Sequence, residues 1–347
     1  MYTRQLLPQR EEPVENGKPI QGTWTTPFEK VDMSVIDKPY RIPFPAWILD
    51  YRLKEWQTFT VRNDDIRMEV FIANLKFFSF VEIIFLDRRG EKKLHIFKMF
   101  PFSAWKMPKS LNDSVIEQVD GGFSFCVHNN IASRSVTLDV SIDSAIERPV
   151  FGAHLVFDTN IQKTTPMTVN MLMAESRPMY IFKNFAGVEG GIVWGDVKTA
   201  LRGESASGLF QDCKGFIPYR ARYINCRAFS FDDRGRRLGF SMGEHITRKL
   251  NVTNENALWL DGALTPLPPV RITEGESGQW SVQDLEGLID LNFKLIDGAY
   301  KQADLFFIGI DHSNPAGLFN GMLTTRDGEK LPVRNVPGTI EYFNFRL

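Results

Sequence analysis

The chain carries 41 basic and 42 acidic side chains in 347 residues, a net charge of −1, which leaves no cationic surplus for phosphates and excludes nucleic acid as an expected partner. Three cysteines without a CxxC pair argue against a disulfide framework. Five histidines (His95, His128, His154, His245, His312) without HxH or HxxxH spacing give a metal site no support.

Residues 1–21 form a polar arm containing Pro8, Pro13 and Pro19, with no apolar leader. No run approaches the ~18 apolar residues of a membrane helix. These features predict a soluble, cytoplasmic protein without a transmembrane segment. The length exceeds one comfortable core, so two domains are expected.

The proline-rich span around Tyr40–Pro45 predicts an extended lead-in, followed by strands over 49–61, 67–74 and 76–86. A recurring unit then sets the fold class: an apolar/polar alternating run, an acidic-glycine turn, and another such run. Asp87-Arg88-Arg89-Gly90, Asp232-Asp233-Arg234-Gly235, Asp261-Gly262 and Asp327-Gly328 are its turns. Residues two apart share one face of a strand, and Asp-Gly supplies the positive φ of a tight hairpin. Phe123–His128 and Val136–Ile142 alternate cleanly, and in the second Thr137, Asp139 and Ser141 fall on the wet face. A strand over 148–158 leads into a polar stretch, 159–166, the expected division between halves. The expected units are the arm, an N-terminal β-barrel domain over 22–160 and a C-terminal one over 166–347.

The second half reads as strands over 168–174, 179–185, 191–194, 220–231, 237–242, 256–260, 263–267, 289–295, 318–324, 330–333 and 339–345. Leu201–Phe210 and Pro178–Phe185 are the only stretches that admit short helices. Strands at this density predict an all-β protein, a sandwich or barrel, and not a parallel α/β sheet. The 28 phenylalanines supply apolar area to fill a core or line a cavity.

Several segments carry a resemblance: Asp212-Cys213-Lys214-Gly215-Phe216-Ile217-Pro218-Tyr219-Arg220, then Gly239-Phe240-Ser241-Met242-Gly243, then Glu255-Asn256-Ala257-Leu258-Trp259-Leu260-Asp261-Gly262. Gly287–Phe293, Gly317–Gly321 and Arg52-Leu53-Lys54-Glu55-Trp56 complete the set. In order and spacing they resemble the bacterial family of domain of unknown function 2804, over nearly the whole chain beyond the arm. The family is similar in general look to tandem lipocalin-like (calycin) proteins, among them carotenoid hydratases, tocopherol cyclases and decalin-forming cyclases. That resemblance implies two lipocalin-like antiparallel barrels, or strongly curved sheets, side by side around an apolar ligand.

Site candidates follow from residue type. Glu255, Tyr219 and Asp212 are the candidate acids, because a carboxyl or phenol beside a cation can protonate or orient the polar tip of an apolar substrate. Lys54, Trp56, Arg220, Asn256 and Trp259 are the candidate ligand contacts. Each has a competing structural role: turn formation for Asn256, core packing for Trp259, an ion pair for Asp212 with Arg220. No GxSxG elbow, phosphate loop or dinucleotide fingerprint is present, and no cofactor is expected. Three readings stay open: a binder of a hydrophobic small molecule (lipid-, isoprenoid- or polyketide-like), a cofactor-independent cyclase, hydratase or isomerase, and a structural protein without a ligand. Oligomeric state is not legible.

Overall fold

In a computed structural model of the chain, the described residues are 4–89, 92–145, 149–244, 251–297, 300–305 and 308–346. Gly90 of the first Asp-Gly turn, the expected strand start at Arg148, and His245 lie outside them. Among the described residues the fold is all-β, with two strongly curled antiparallel sheets, a two-stranded ribbon of Val14–Glu15 with Lys18–Pro19, and one short α-helix, Ala46–Arg52.

Hydrogen-bonded neighbours in the first sheet run Lys92–Pro101, Phe78–Asp87, Ile66–Asn74, Lys54–Arg62, Ser207–Gly215, Arg177–Trp194, Phe151–Asp158, Ser135–Ile142, Phe123–Asn130 and Ser114–Asp120. The short strands Met167–Ala174 and Val197–Leu201 pair with Arg177–Trp194, and Gly22–Trp24 pairs with Met167–Ala174. In the second sheet the order is Ala263–Pro266, Ala257–Leu260, Arg237–Glu244, Arg220–Phe231, Lys330–Arg346, Ala316–Thr324, Ile289–Asp297, Gln279–Asp284 and Val270–Glu274. Sheet membership thus changes between Gly215 and Arg220. The 166–347 unit expected from sequence contributes residues 167–215 to the first sheet.

Side-chain alternation decides which face is covered. Val136, Leu138, Val140 and Ile142 are buried on the concave side while Asp139 and Ser141 face solvent, as the sequence pattern required. The turn pairs behave as expected: Asp261 and Gly262 have φ of 47° and 84° and close the hairpin between Leu260 and Ala263. The helix departs from expectation. It occupies 46–52, where a strand was read from Leu49, because Pro45 at its N-cap presets the first turn. Of the two stretches that admitted short helices, Pro178–Phe185 is strand, as its 179–185 reading expected, and Leu201–Phe210 runs from one strand through a turn into the next.

Each concave face holds its own apolar core. The convex faces meet in a third cluster, in which Met167, Val169, Ile181, Phe185, Leu209 and Cys213 of the first sheet pack against Phe229, Ala257 and Trp259 of the second. Contact there is close: a Cβ built on Gly239 would stand 2.4 Å from the Phe185 ring. No described helix is long and apolar enough to cross a membrane.

Candidate functional site

Inside the first curled sheet, alternation puts apolar side chains on the concave face, and a few polar ones interrupt it on neighbouring strands. Gln57 stands in the row Gln57-Phe59-Val61, and Asn129 in the row Phe123-Phe125-Val127-Asn129. Tyr180 and Asn184 flank Phe182, and Asp212 lies between Phe210 and Lys214. Register brings them together. Asp212 pairs directly with Gln57 on one side and Phe182 on the other, which places Tyr180 opposite Lys214 and Asn184 opposite Phe210.

The hydrogen bonds made by this cluster leave several atoms without a partner. Gln57 Nε2 donates to Asp212 Oδ1 (3.0 Å) and to Asn129 Oδ1 (3.2 Å), reaching strands on both sides of the interior. Gln57 Oε1, Asn129 Nδ2, Asp212 Oδ2, the Tyr180 hydroxyl and both amide atoms of Asn184 have no hydrogen-bond partner among the described residues. The same holds for the indole N–H groups of Trp24 and Trp105. All of these side chains are buried. A buried polar atom left unpaired costs about 1–3 kcal/mol, so such a concentration is not a packing solution.

Electrostatics mark the same place. Burial pushes the Asp212 carboxyl above its ordinary range, against the opposing pull of Lys214 at 3.8 Å and of the Gln57 hydrogen bond. Burial, reinforced by Asp212, raises the Tyr180 phenol well above its usual value. Burial thus favours the neutral, hydrogen-bond-donating form of both groups.

A strap closes this end of the sheet. Asn74 Nδ2 donates to Ser103 Oγ and to Trp105 O, both at 2.6 Å, and Ser79 Oγ donates to Phe102 O at 3.1 Å. Lys214 Nζ donates to Pro108 O. Beside the strap lies an aromatic rim. Trp47 and Tyr51, one helical turn apart, and Phe102 are exposed, and Tyr51 neighbours Phe77 at 6.3 Å. Phe77 O accepts from Phe102 N at 3.1 Å.

The remaining sequence candidates are dispersed. Glu255 sits between the sheets, with Oε2 2.6 Å from Lys183 Nζ, which also donates to Ser241 Oγ at 2.9 Å. Trp259 lies in the same junction and donates from Nε1 to Thr165 O at 2.8 Å. Asn256 braces strands: its Oδ1 accepts from Gly243 N and its Nδ2 donates to Pro268 O, each at 2.8 Å. Lys54 is buried, donating to Tyr51 O (2.9 Å) and Leu75 O (2.7 Å), and burial lowers its ammonium to about 7. Trp56 stacks on Phe71 on the convex side. Tyr219 and Arg220 are exposed where the chain passes from one sheet to the other. Asp212 has Lys214 as its cation, where sequence paired it with Arg220. His128 and His154 both face solvent.

Of the sequence candidates only Asp212 belongs to this cluster; Gln57, Asn129, Tyr180 and Asn184 were not among them. The available signal was a polar residue at the inward parity of an otherwise apolar row. An opening of about 540 Å³ lies on the second sheet, where the charged Arg222, Glu244, Arg271 and Glu274 share the lining with Ile224 and Ile272. No group of three His, Cys, Asp or Glu among the described residues is arranged to hold a metal.

Residues 9–347 match the family model described as "Domain of unknown function (DUF2804)", and the chain belongs to that family. No curated protein matches it. Among solved structures the chain is similar to CghA with Sch210972 (TM-score 0.46, 11% identity, 98% of this chain and 97% of that one). It is also similar to a putative AttH from Nitrosomonas europaea (0.46, 14%, 87% and 96%) and to kievitone hydratase from Nectria haematococca (0.44, 9%, 83% and 88%).

Proposed function

We propose that the protein binds a hydrophobic small molecule, lipid-, isoprenoid- or polyketide-like, with its polar end received by the Asp212 cluster on the concave face of the first sheet. The observation that carries this reading is the group of unpartnered, buried polar atoms from Gln57, Asn129, Tyr180, Asn184 and Asp212 on the concave face of an otherwise apolar interior. Gln57 Oε1 accepts, Asn129 Nδ2 donates and the Tyr180 hydroxyl does both, a set that suits a hydroxyl or carbonyl. The exposed rim of Trp47, Tyr51 and Phe102 supports an apolar body for the molecule.

A second reading is favoured by one feature, the upward push of burial on the Asp212 carboxyl, which favours its protonated form. In that reading the protein is a cofactor-independent cyclase, hydratase or isomerase. Asp212 gives its proton to a carbon–carbon double bond of the bound molecule, and Tyr180 orients the polar end.

Native mass spectrometry of gently purified protein, followed by extraction, tests both. A co-purifying apolar molecule that is lost in Asp212→Asn together with Tyr180→Phe supports binding at this cluster. Retention of the same molecule by that double variant contradicts it. Conversion of the extracted molecule by wild type and not by Asp212→Asn separates enzyme from binder.

A further inference from the structure

We infer that Glu55 and Lys214 form a proton path joining Asp212 to solvent at Lys76, an inference that rests on the reading of Asp212 as an acid. Five side chains, carboxyl and amine in alternation, run inward from the surface. Asp50 Oδ1 lies 3.1 Å from Lys76 Nζ, which lies 2.7 Å from Glu55 Oε2. Glu55 Oε1 lies 3.5 Å from Lys214 Nζ, which lies 3.8 Å from Asp212 Oδ2. Side-chain exposure falls along the row from 62% at Asp50 to 11%, 8%, 1% and 1%. The row ends on Asp212 Oδ2, the carboxyl oxygen without a hydrogen bond.

Stability alone gives little reason for such an arrangement, since a buried ion pair rarely outperforms apolar packing of the same volume. Its geometry suits transfer. Lys214 Nζ stands between two carboxyl groups, and a shift of about 1 Å toward either makes a hydrogen bond. After Asp212 gives its proton to the bound molecule, its carboxylate takes one from the Lys214 ammonium: one N–H bond breaks and one O–H bond forms. Glu55, having accepted a proton from the Lys76 ammonium, passes it to the Lys214 amine, and Lys76 regains one from water. The net change is one proton moved from solvent to the bound molecule.

The path is tested on the protein itself, without a ligand. Infrared spectroscopy after a pH jump follows the protonated-carboxyl stretch of Asp212, assigned by its loss in Asp212→Asn. Glu55→Gln and Lys76→Met are expected to slow reprotonation at least tenfold, and Glu55→Gln also to lower the titration midpoint by removing a like charge. Lys214→Arg keeps the charge but does not release a proton, and is expected to slow it as well. Should Glu55→Gln fail to fold, Lys76→Met at the surface end carries the same test. Unchanged rates with the Asp212 band present overturn the path and leave the binding reading standing. Absence of that band at every pH overturns the acid reading itself.

Discussion

Asp212 carries the chemistry proposed for this fold, and its environment fixes how its removal must behave. Its carboxyl is pushed above the ordinary 3.8, so its contribution to stability is fully present below that value and is lost as pH rises through its folded-state value. Asp212→Asn keeps the shape and the hydrogen bond from Gln57 while removing that dependence. The variant is expected to be within about 1 kcal/mol of wild type at pH 4 and to gain on it toward pH 8, measured by urea denaturation across pH. A variant that loses ground to wild type as pH rises would contradict a carboxyl destabilised by burial. Asp212 was legible in the sequence because it begins a recognisable segment beside Lys214. Gln57, Asn129, Tyr180 and Asn184 were not, because each belongs to a different strand and only register brings them together. Glu255 and Trp259 share a side, as their spacing implies, but that side faces the other sheet.

At the scale of elements, the strap over 103–108 depends on few anchors. Asn74→Ala removes two bonds to it and leaves Trp105 O with only the longer bond from Ser103 Oγ at 3.3 Å. The expected loss is about 1–3 kcal/mol by denaturation, with faster hydrogen exchange confined to 103–108 and the strand ends beside it. Exchange raised evenly through the first sheet would mean the strap is part of the core instead of a cover. The junction between convex faces is the other sensitive element. Gly239→Ala pushes a methyl into the Phe185 ring, and a cost of about 1–3 kcal/mol is expected, again read by denaturation. Strand identity and hairpin turns were readable from alternation and Asp-Gly pairs. Leu201–Phe210 was ambiguous because a turn at 202–206 interrupts the two-residue period. The helix at 46–52 was hidden by too short an apolar stripe.

Across the whole molecule, a buried ionic cluster joins the two sheets beside the apolar junction. Glu341 Oε2 accepts from Arg227 (2.6 Å) and Asn225 (2.9 Å), and its other oxygen meets His312 at 3.0 Å. Glu69 lies 2.8 Å from Arg67 and from Asn314, so residues of both sheets are interleaved. Burial raises the Glu341 carboxyl, but Arg227, His312 and Asn225 outweigh it and lower it to about 2 from an ordinary 4.5. A depressed carboxylate stabilises the fold above its unfolded-state value and loses that contribution as pH falls toward 2. The shift corresponds to about 3 kcal/mol. Glu341→Gln is expected to cost about 3–5 kcal/mol at pH 7, because Arg227 stays buried without its carboxylate. It should also flatten the acid limb of the stability curve between pH 4.5 and 2. A wild-type acid limb preserved in the variant would place the linkage elsewhere. None of this cluster was readable beforehand, since its members span residues 67 to 341 and meet only when the two sheets dock.

The central claim is that the interior of the first sheet receives the polar end of an apolar molecule. Side-chain amide NMR of Gln57, Asn129 and Asn184 during titration with farnesol, a neutral isoprenoid alcohol, tests it most directly. The account predicts saturable shifts of these three amides, abolished in Asp212→Asn with Tyr180→Phe. Saturable binding that leaves all three unmoved, with shifts confined to the charged opening around Arg222 and Glu244, would contradict it.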